Sequence, residues 1–285
     1  MKRFIYSPEK NPEGLTLKER FGAGEELFIE TEENVVVECF WVGQKSSQTS
    51  PTIMILHGNA GSIHQRYQII AYLYVLCSAN VFALSYRGYG RSTGKPSESG
   101  IKRDVEHGLI HLLSRKIDTK RIYLYGQSLG GACAFSLLEK HADKICGLII
   151  ENTFLSIPKV IRNFLPVSSF IASCFISDRW DTEKILKRFI TNKTGKFFPK
   201  TILLSAKRDE MVPCYHMQKI FKHICEIMPV SRKKDISIVL FNDPGHNTTW
   251  LEKEYFKRIL FFIKDKTTAD IPGERPPYAH KMFDH

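Results

Sequence analysis

The sequence predicts an α/β protein in which a mostly parallel central sheet carries helices on both faces. Three observations point there. Runs that are apolar from end to end recur at strand length, as strands covered on both sides require. They alternate with stretches of helical spacing, the pattern of a parallel sheet wound by right-handed crossovers. One of the strands passes through a glycine-flanked serine directly into a helix.

The first elements form an edge. Glu26 to Glu30 and Val35 to Trp41 flank a polar Glu-Glu-Asn turn and read as a hairpin. A polar stretch, Gln44 to Ser50, ends at Pro51, and Thr52 to Leu56 follows as a wholly apolar strand. A glycine-containing loop comes next, then helical spacing from about Ser62 to Cys77, a strand at Val81 to Ser85, a glycine-rich loop, and a helix near Glu98 to Ser114. Strands follow at Arg121 to Tyr125, Ile145 to Ile150, Thr201 to Ser205 and Ile236 to Phe241. Helices are expected from Ser128 to about His141 and from about Thr249 to Ile263.

Two stretches interrupt the rhythm. Residues 152–199 hold no evident strand but contain the apolar run Phe164 to Ile176, so the insertion is expected to form a small cap above the strand ends. Residues 266–285, with three prolines and no periodicity, read as a poorly ordered tail behind a single domain spanning 1–265.

Composition narrows the class. With 43% hydrophobic, 12% aromatic and 25% charged residues, the chain of 285 can bury a sizeable core. A net charge of +11 favours anionic surfaces. Its basic residues lie in short scattered runs such as Arg232-Lys233-Lys234, without aromatic interleaving, so no nucleic-acid partner is expected. Seven cysteines, with no C-x-x-C pair and no histidine at zinc spacing, suit a reducing compartment and no structural metal. The short basic stretch Met1 to Tyr6 is followed by no apolar run of signal or spanning length, so a cytoplasmic protein, or one peripheral to a membrane, is expected.

Gly126-Gln127-Ser128-Leu129-Gly130 matches G-x-S-x-G in the required context: an apolar strand before it, and Gly131, Ala132, Phe135, Leu137 and Leu138 opening a helix after it. A second match, Gly90-Arg91-Ser92-Thr93-Gly94, has the letters alone, since Lys95-Pro96 opposes a helix. Ser128 is therefore the candidate nucleophile, with a plain packing turn as the alternative.

A serine hydroxyl needs a base, and the base needs a group that fixes its tautomer. On such a sheet the acid and then the histidine follow the serine, each at the carboxyl end of a later strand. Asp209 lies just beyond Ile202 to Ala206, and His246 lies in Asn242-Asp-Pro-Gly-His-Asn247 after the strand ending at Phe241. His141 ends a helix, His216 and His223 fall within one, and His280 and His285 are in the tail. Glu210 and Asp243 remain rivals to Asp209. The negative charge that develops on a substrate carbonyl requires backbone N–H donors. Leu129, at a helix start, offers one, and Asn59, in the loop His57-Gly-Asn-Ala-Gly61, is expected to offer the other.

His57-Gly-Asn-Ala-Gly61, Tyr86-Arg-Gly-Tyr-Gly90, Gly126-Gln-Ser-Leu-Gly-Gly131, Glu151-Asn-Thr-Phe-Leu-Ser-Ile157 and Gly245-His-Asn247 together resemble the Bem46-like branch of the α/β-hydrolases, over roughly Phe4 to Lys264. The resemblance implies an α/β-hydrolase fold and supports Ser128, Asp209 and His246 position by position. Members often carry a transmembrane anchor just before the segment that here reads Phe4-Ile-Tyr-Ser-Pro8, which points to peripheral membrane contact. A related branch, similar in its Gly-Gln-Ser turn, removes palmitoyl groups from protein cysteines. The expected activity is attack by Ser128 on an ester or thioester of a small or acylated substrate, through an acyl-enzyme and without metal or organic cofactor. Phe154, Leu155, Phe164, Leu165, Phe170 and Phe175 are candidates to line an acyl-chain site, with ordinary core packing as the alternative. The other class of reading is a protein of the same fold that binds a partner or lipid with little turnover.

Overall fold

Apolar runs buried on both sides become the middle of one eight-stranded sheet. The structure, a computed structural model, describes residues 5–10, 16–164 and 176–265. Within them the sheet comprises β1 Glu25–Glu32, β2 Val35–Val42, β3 Thr52–Leu56, β4 Asn80–Leu84, β5 Ile122–Gln127, β6 Gly147–Glu151, β7 Lys200–Ala206 and β8 Ile236–Phe241. Across the sheet the order is β8-β7-β6-β5-β3-β4-β2-β1. The first hairpin is antiparallel and joins β4 antiparallel; every other pairing is parallel. Asn34, at φ +61°, turns the hairpin in the left-handed region that asparagine tolerates.

The period of two along each strand divides the core into two layers. Met54, Leu56, Leu124 and Leu203 face α2 (Glu98–Leu113), α3 (Leu129–His141) and α6 (Tyr215–Ile227), whereas Ile53, Ile55, Ile202 and Leu204 face α1 (Tyr67–Leu76) and α7 (Tyr255–Ile263). Helices therefore cover both faces, as parallel strands require to hide their apolar side chains. A leucine such as Leu124, with no exposed surface, contributes about 2–5 kcal/mol against truncation to alanine.

Three elements differ from the sequence reading. β5 runs two residues further than Tyr125, so Gly126 and Gln127 are ladder residues paired with Ile150 and Glu151. The last helix does not start at Thr249. Thr248 and Thr249 turn their hydroxyls onto the Gly245 carbonyl, and Glu252 leaves helical backbone at ψ 133°, so only a short turn precedes α7. Within the insertion, α4 (Ile157–Phe164) and α5 (Thr182–Thr191) form. The second of these is no part of a cap: Ile185, Leu186 and Phe189 share one helical stripe and bury it in the core layer beside α3 and α6. Residues 165–175 and the tail from 266 lie outside the described residues, and with them the calls on Leu165, Phe170 and Phe175. Among the described residues no helix is long and apolar enough to cross a membrane. Six of the cysteines are described, all as free thiols.

Candidate functional site

β5 ends where α3 begins, and the turn between them leaves little space. A Cβ on Gly126 would lie 2.5 Å from the Gly130 carbonyl oxygen, and one on Gly130 would lie 1.8 Å from the Leu56 carbonyl oxygen. Only glycine lets strand, helix and β3 approach so closely. The residue between them takes the strain: Ser128 sits at φ +52°, ψ −115°, outside any region a serine prefers. Its backbone N–H donates to the Glu151 carbonyl, and its own carbonyl accepts from the Thr153 hydroxyl. The side chain is thus aimed by a turn fixed on both sides.

His246 Nε2 lies 3.0 Å from Ser128 Oγ, and its Nδ1 lies 2.7 Å from Asp209 Oδ2. The three residues are 2–8% exposed. Asp209 is locked by its other oxygen, which accepts the Met211 and Val212 N–H groups at 2.9 and 2.6 Å. With carboxylate at Nδ1, the neutral ring carries its proton there, and Nε2 is free to accept the serine proton. Replacing Asp209 by asparagine keeps the shape but offers Nδ1 the wrong partner; a fall in hydrolytic rate of about 10⁴-fold is expected, read as kcat with any cleavable ester.

The rivals sort out clearly. Asp243 is 78% exposed at its side chain and faces Arg208. Glu210 accepts the backbone N–H of His246 at 3.1 Å; its own backbone N–H, and then that bond, hold its carboxyl below the usual range. It braces the loop of His246 without touching the ring. Ser92 donates to the Ser85 carbonyl and accepts from the Glu38 N–H, 1% exposed, so its hydroxyl is spent on backbone groups.

The run Glu151-Asn152-Thr153, whose individual roles sequence reasoning did not assign, ties the serine turn to the histidine loop. Asn152 Nδ2 donates to the His246 carbonyl (2.9 Å) and to Thr249 Oγ1 (2.7 Å), while Oδ1 accepts from Ala206 N (2.8 Å). Glu151 is fully buried among Tyr125, Tyr255 and Gln127; burial pushes its carboxyl up, and the two tyrosine hydroxyls counter that. An acidic residue at the last position of a buried strand was the available signal, because such a group is rarely left inside without hydrogen-bond partners.

The loop 57–61 lies on the other side of Ser128. His57 Nδ1 donates to the Gly58 carbonyl at 2.7 Å, and Nε2 accepts from Tyr86 N at 3.4 Å, so the ring is the neutral Nδ1–H tautomer. Across a trans peptide, N–H points opposite to C=O. Anchoring the Gly58 carbonyl therefore turns the Asn59 N–H away from His57. The Asn59 carbonyl is held by Ser7 N and by the Tyr89 hydroxyl. Here the segment Tyr6 to Glu9 has a structural role: it bridges to Ala60 and Gly61, and Tyr6 itself bonds Asp178 and Trp180. Leu129, first residue of α3, has an N–H with no helical acceptor. Phe154 and Leu155, 3% and 0% exposed, pack in the main core, as the core-packing alternative expects, and Phe164 is 57% exposed.

Burial, then the Arg66 charge, lowers His57 to about 3, and burial likewise lowers His216 to about 4. Both rings protonate near 6.5 once unfolded, so their contribution is complete above that pH. It is lost as the pH falls through 6.5 toward those values, by roughly 2 kcal/mol for each group at pH 5. Urea unfolding at pH 7, 6 and 5 should show this decline, shallower in His216→Gln; a flat profile would contradict it.

Comparison with known proteins places the chain. The profile of the family described as serine aminopeptidase, S33, matches residues 47–197. Protein bem46 of Schizosaccharomyces pombe is 35% identical over 243 residues, covering 85% of this chain and 77% of its own length. The alpha/beta hydrolase domain-containing protein WAV2 of Arabidopsis thaliana is 32% identical, covering 84% and 78%. Among solved structures, the Pyrococcus furiosus esterase Pf2001 superposes with a TM-score of 0.70 at 20% identity, over 91% of this chain and 99% of its own, a likeness of fold. With the sheet order, the turn at Ser128 and these relatives together, the chain belongs to the Bem46-like branch of the α/β-hydrolase family.

Proposed function

We propose that this hydrolase-family protein is a serine hydrolase that cleaves a carboxylic ester or thioester, with Ser128 as nucleophile, His246 as general base and Asp209 as its orienting acid. The observation that carries the reading is the continuous hydrogen-bonded line from Asp209 through His246 to the hydroxyl of a strained Ser128. As Ser128 Oγ bonds to the substrate carbonyl carbon, its proton passes to His246 Nε2. Charge on the carbonyl oxygen is met by the Leu129 and Asn59 N–H groups, which are fixed before the substrate arrives. His246 returns the proton to the departing alkoxide or thiolate, leaving an acyl-enzyme. Water, deprotonated by the same ring, releases the acid. The side chains named suffice for each transfer.

A 4-nitrophenyl ester series from acetate to dodecanoate tests the reading. The expected result is a burst of nitrophenol equal to the enzyme present, followed by slower turnover, with a rate that rises with chain length if Phe164 and the neighbouring insertion contact the acyl group. Turnover that persists undiminished in Ser128→Ala would contradict it. A series with no preference beyond acetate would remove the acyl-chain site alone.

A further inference from the structure

Arg66 carries a charge that the chemistry above does not use. It closes the short turn Ile63–Arg66 that leads from the loop 57–61 into α1, and it is half-buried. Two of its nitrogens donate to backbone carbonyls, Ala60 at 3.3 Å and Gln65 at 3.5 Å. Nε is buried and bonds to nothing among the described residues, and no described carboxylate comes within ion-pair distance of the guanidinium. The contrast with its surroundings is informative. Glu38, close by, is claimed by both His64 and Arg91, and the Glu9 carboxylate accepts from the Gln65 side chain.

Position gives the unpaired charge a meaning. The point a Gly58 Cβ would occupy is 3.7 Å from Arg66 Nη2 and 3.7 Å from Ser128 Cβ. Guanidinium and serine therefore flank the same face of Gly58, beside the Gly58–Asn59 peptide whose N–H the mechanism proposed above assigns to the oxyanion. The charge reaches inward too, since it helps keep His57 neutral. A partly desolvated guanidinium with a buried Nε–H unbonded and no carboxylate partner among the described residues is costly, and its planar fork fits the oxygens of a carboxylate or phosphate.

We propose that Arg66 binds an anionic group of the substrate, a carboxylate or phosphate lying close to the scissile carbonyl, so that acidic esters are preferred over neutral ones of the same size. This assignment of substrate class rests on Ser128 being the nucleophile. Arg66 acts as a specificity-determining residue, drawing the substrate to the serine by its charge.

Matched pairs of esters test it on the full chain. One pair places the anion in the acyl half, mono-4-nitrophenyl adipate against 4-nitrophenyl hexanoate. The other places it in the leaving group, 4-acetoxyphenyl phosphate against phenyl acetate. The expected result is a preference in kcat/KM of about tenfold or more for the anionic member of at least one pair. That preference should be lost in Arg66→Gln, partly restored in Arg66→Lys, which keeps the charge without the fork, and reduced in wild type between 50 and 500 mM salt, which reads the charge even where a variant folds poorly. The pair that responds tells which half of the substrate meets Arg66. Equal cleavage within both pairs by wild type would overturn the proposal, as would a parallel fall for anionic and neutral esters in a folded Arg66→Gln, the mark of a clamp on Ala60 only. Fluorophosphonate labelling of wild type separates the two levels: labelling without anion preference overturns the Arg66 assignment and spares Ser128, whereas absence of labelling and of turnover overturns both.

Discussion

Ser128→Ala is expected to lower ester turnover by roughly 10⁴- to 10⁶-fold while leaving the unfolding midpoint within a few degrees of wild type. The asymmetry follows from what the side chain does. Its hydroxyl contacts His246 and carries no helix cap, and the cost of the backbone at φ +52° is the same for alanine as for serine. The turn itself is held by the Ser128 N–H and carbonyl, which alanine retains. Residual activity of about 10³-fold over water is expected from the Leu129 and Asn59 N–H groups alone. Stopped-flow nitrophenol release and thermal unfolding on the same preparation check both halves. A variant that loses stability together with activity would make Ser128 a packing residue.

Asn152→Ala is expected to act the opposite way, through structure first. The residue is 1% exposed, sits at φ +44° where asparagine is tolerated and alanine is not, and makes three bonds that join β7, the His246 loop and Thr249. Losing them together costs at least about 3 kcal/mol, and frees the carbonyl of His246 to move. Asn152→Asp supplies the comparison, because it keeps the acceptor for Ala206 N but sets a carboxylate oxygen against the His246 carbonyl in place of the donor. For this positioning residue, kcat should fall in both variants with KM little changed, while urea unfolding reads the stability cost of each. Unchanged kcat in Asn152→Asp would mean that the Thr248 and Glu210 contacts alone hold the loop.

What could be read from the sequence was what depends on local spacing. Thr52 to Leu56, buried at every position, announced a central strand because no face of it could meet water. Gly126 and Gly130 announced the turn, since their spacing leaves room for crossing backbones. The order serine, acid, histidine is the one the resembled fold uses, and strand ends that open on one edge of the sheet let the structure bring Ser128, Asp209 and His246 together there.

What could not be read depends on side-chain direction across long separations. Nothing local shows that Glu210 turns back to His246 N, or that Tyr6 reaches Asp178, 172 residues away. The helix expected from Thr249 failed because two hydroxyls bonded backwards to Gly245, a choice that spacing does not encode. The apolar residues Phe154 and Leu155 looked like pocket lining for the same reason that they look like core: composition cannot tell an inward face from an open one.

The most direct measurement is fluorophosphonate labelling of the purified chain, with the modified residue located by mass spectrometry and Ser128→Ala and Ser92→Ala run alongside. The account predicts one adduct, on Ser128, retained in Ser92→Ala and absent from a folded Ser128→Ala. A folded wild type that takes no label, or an adduct that survives in Ser128→Ala, would contradict it.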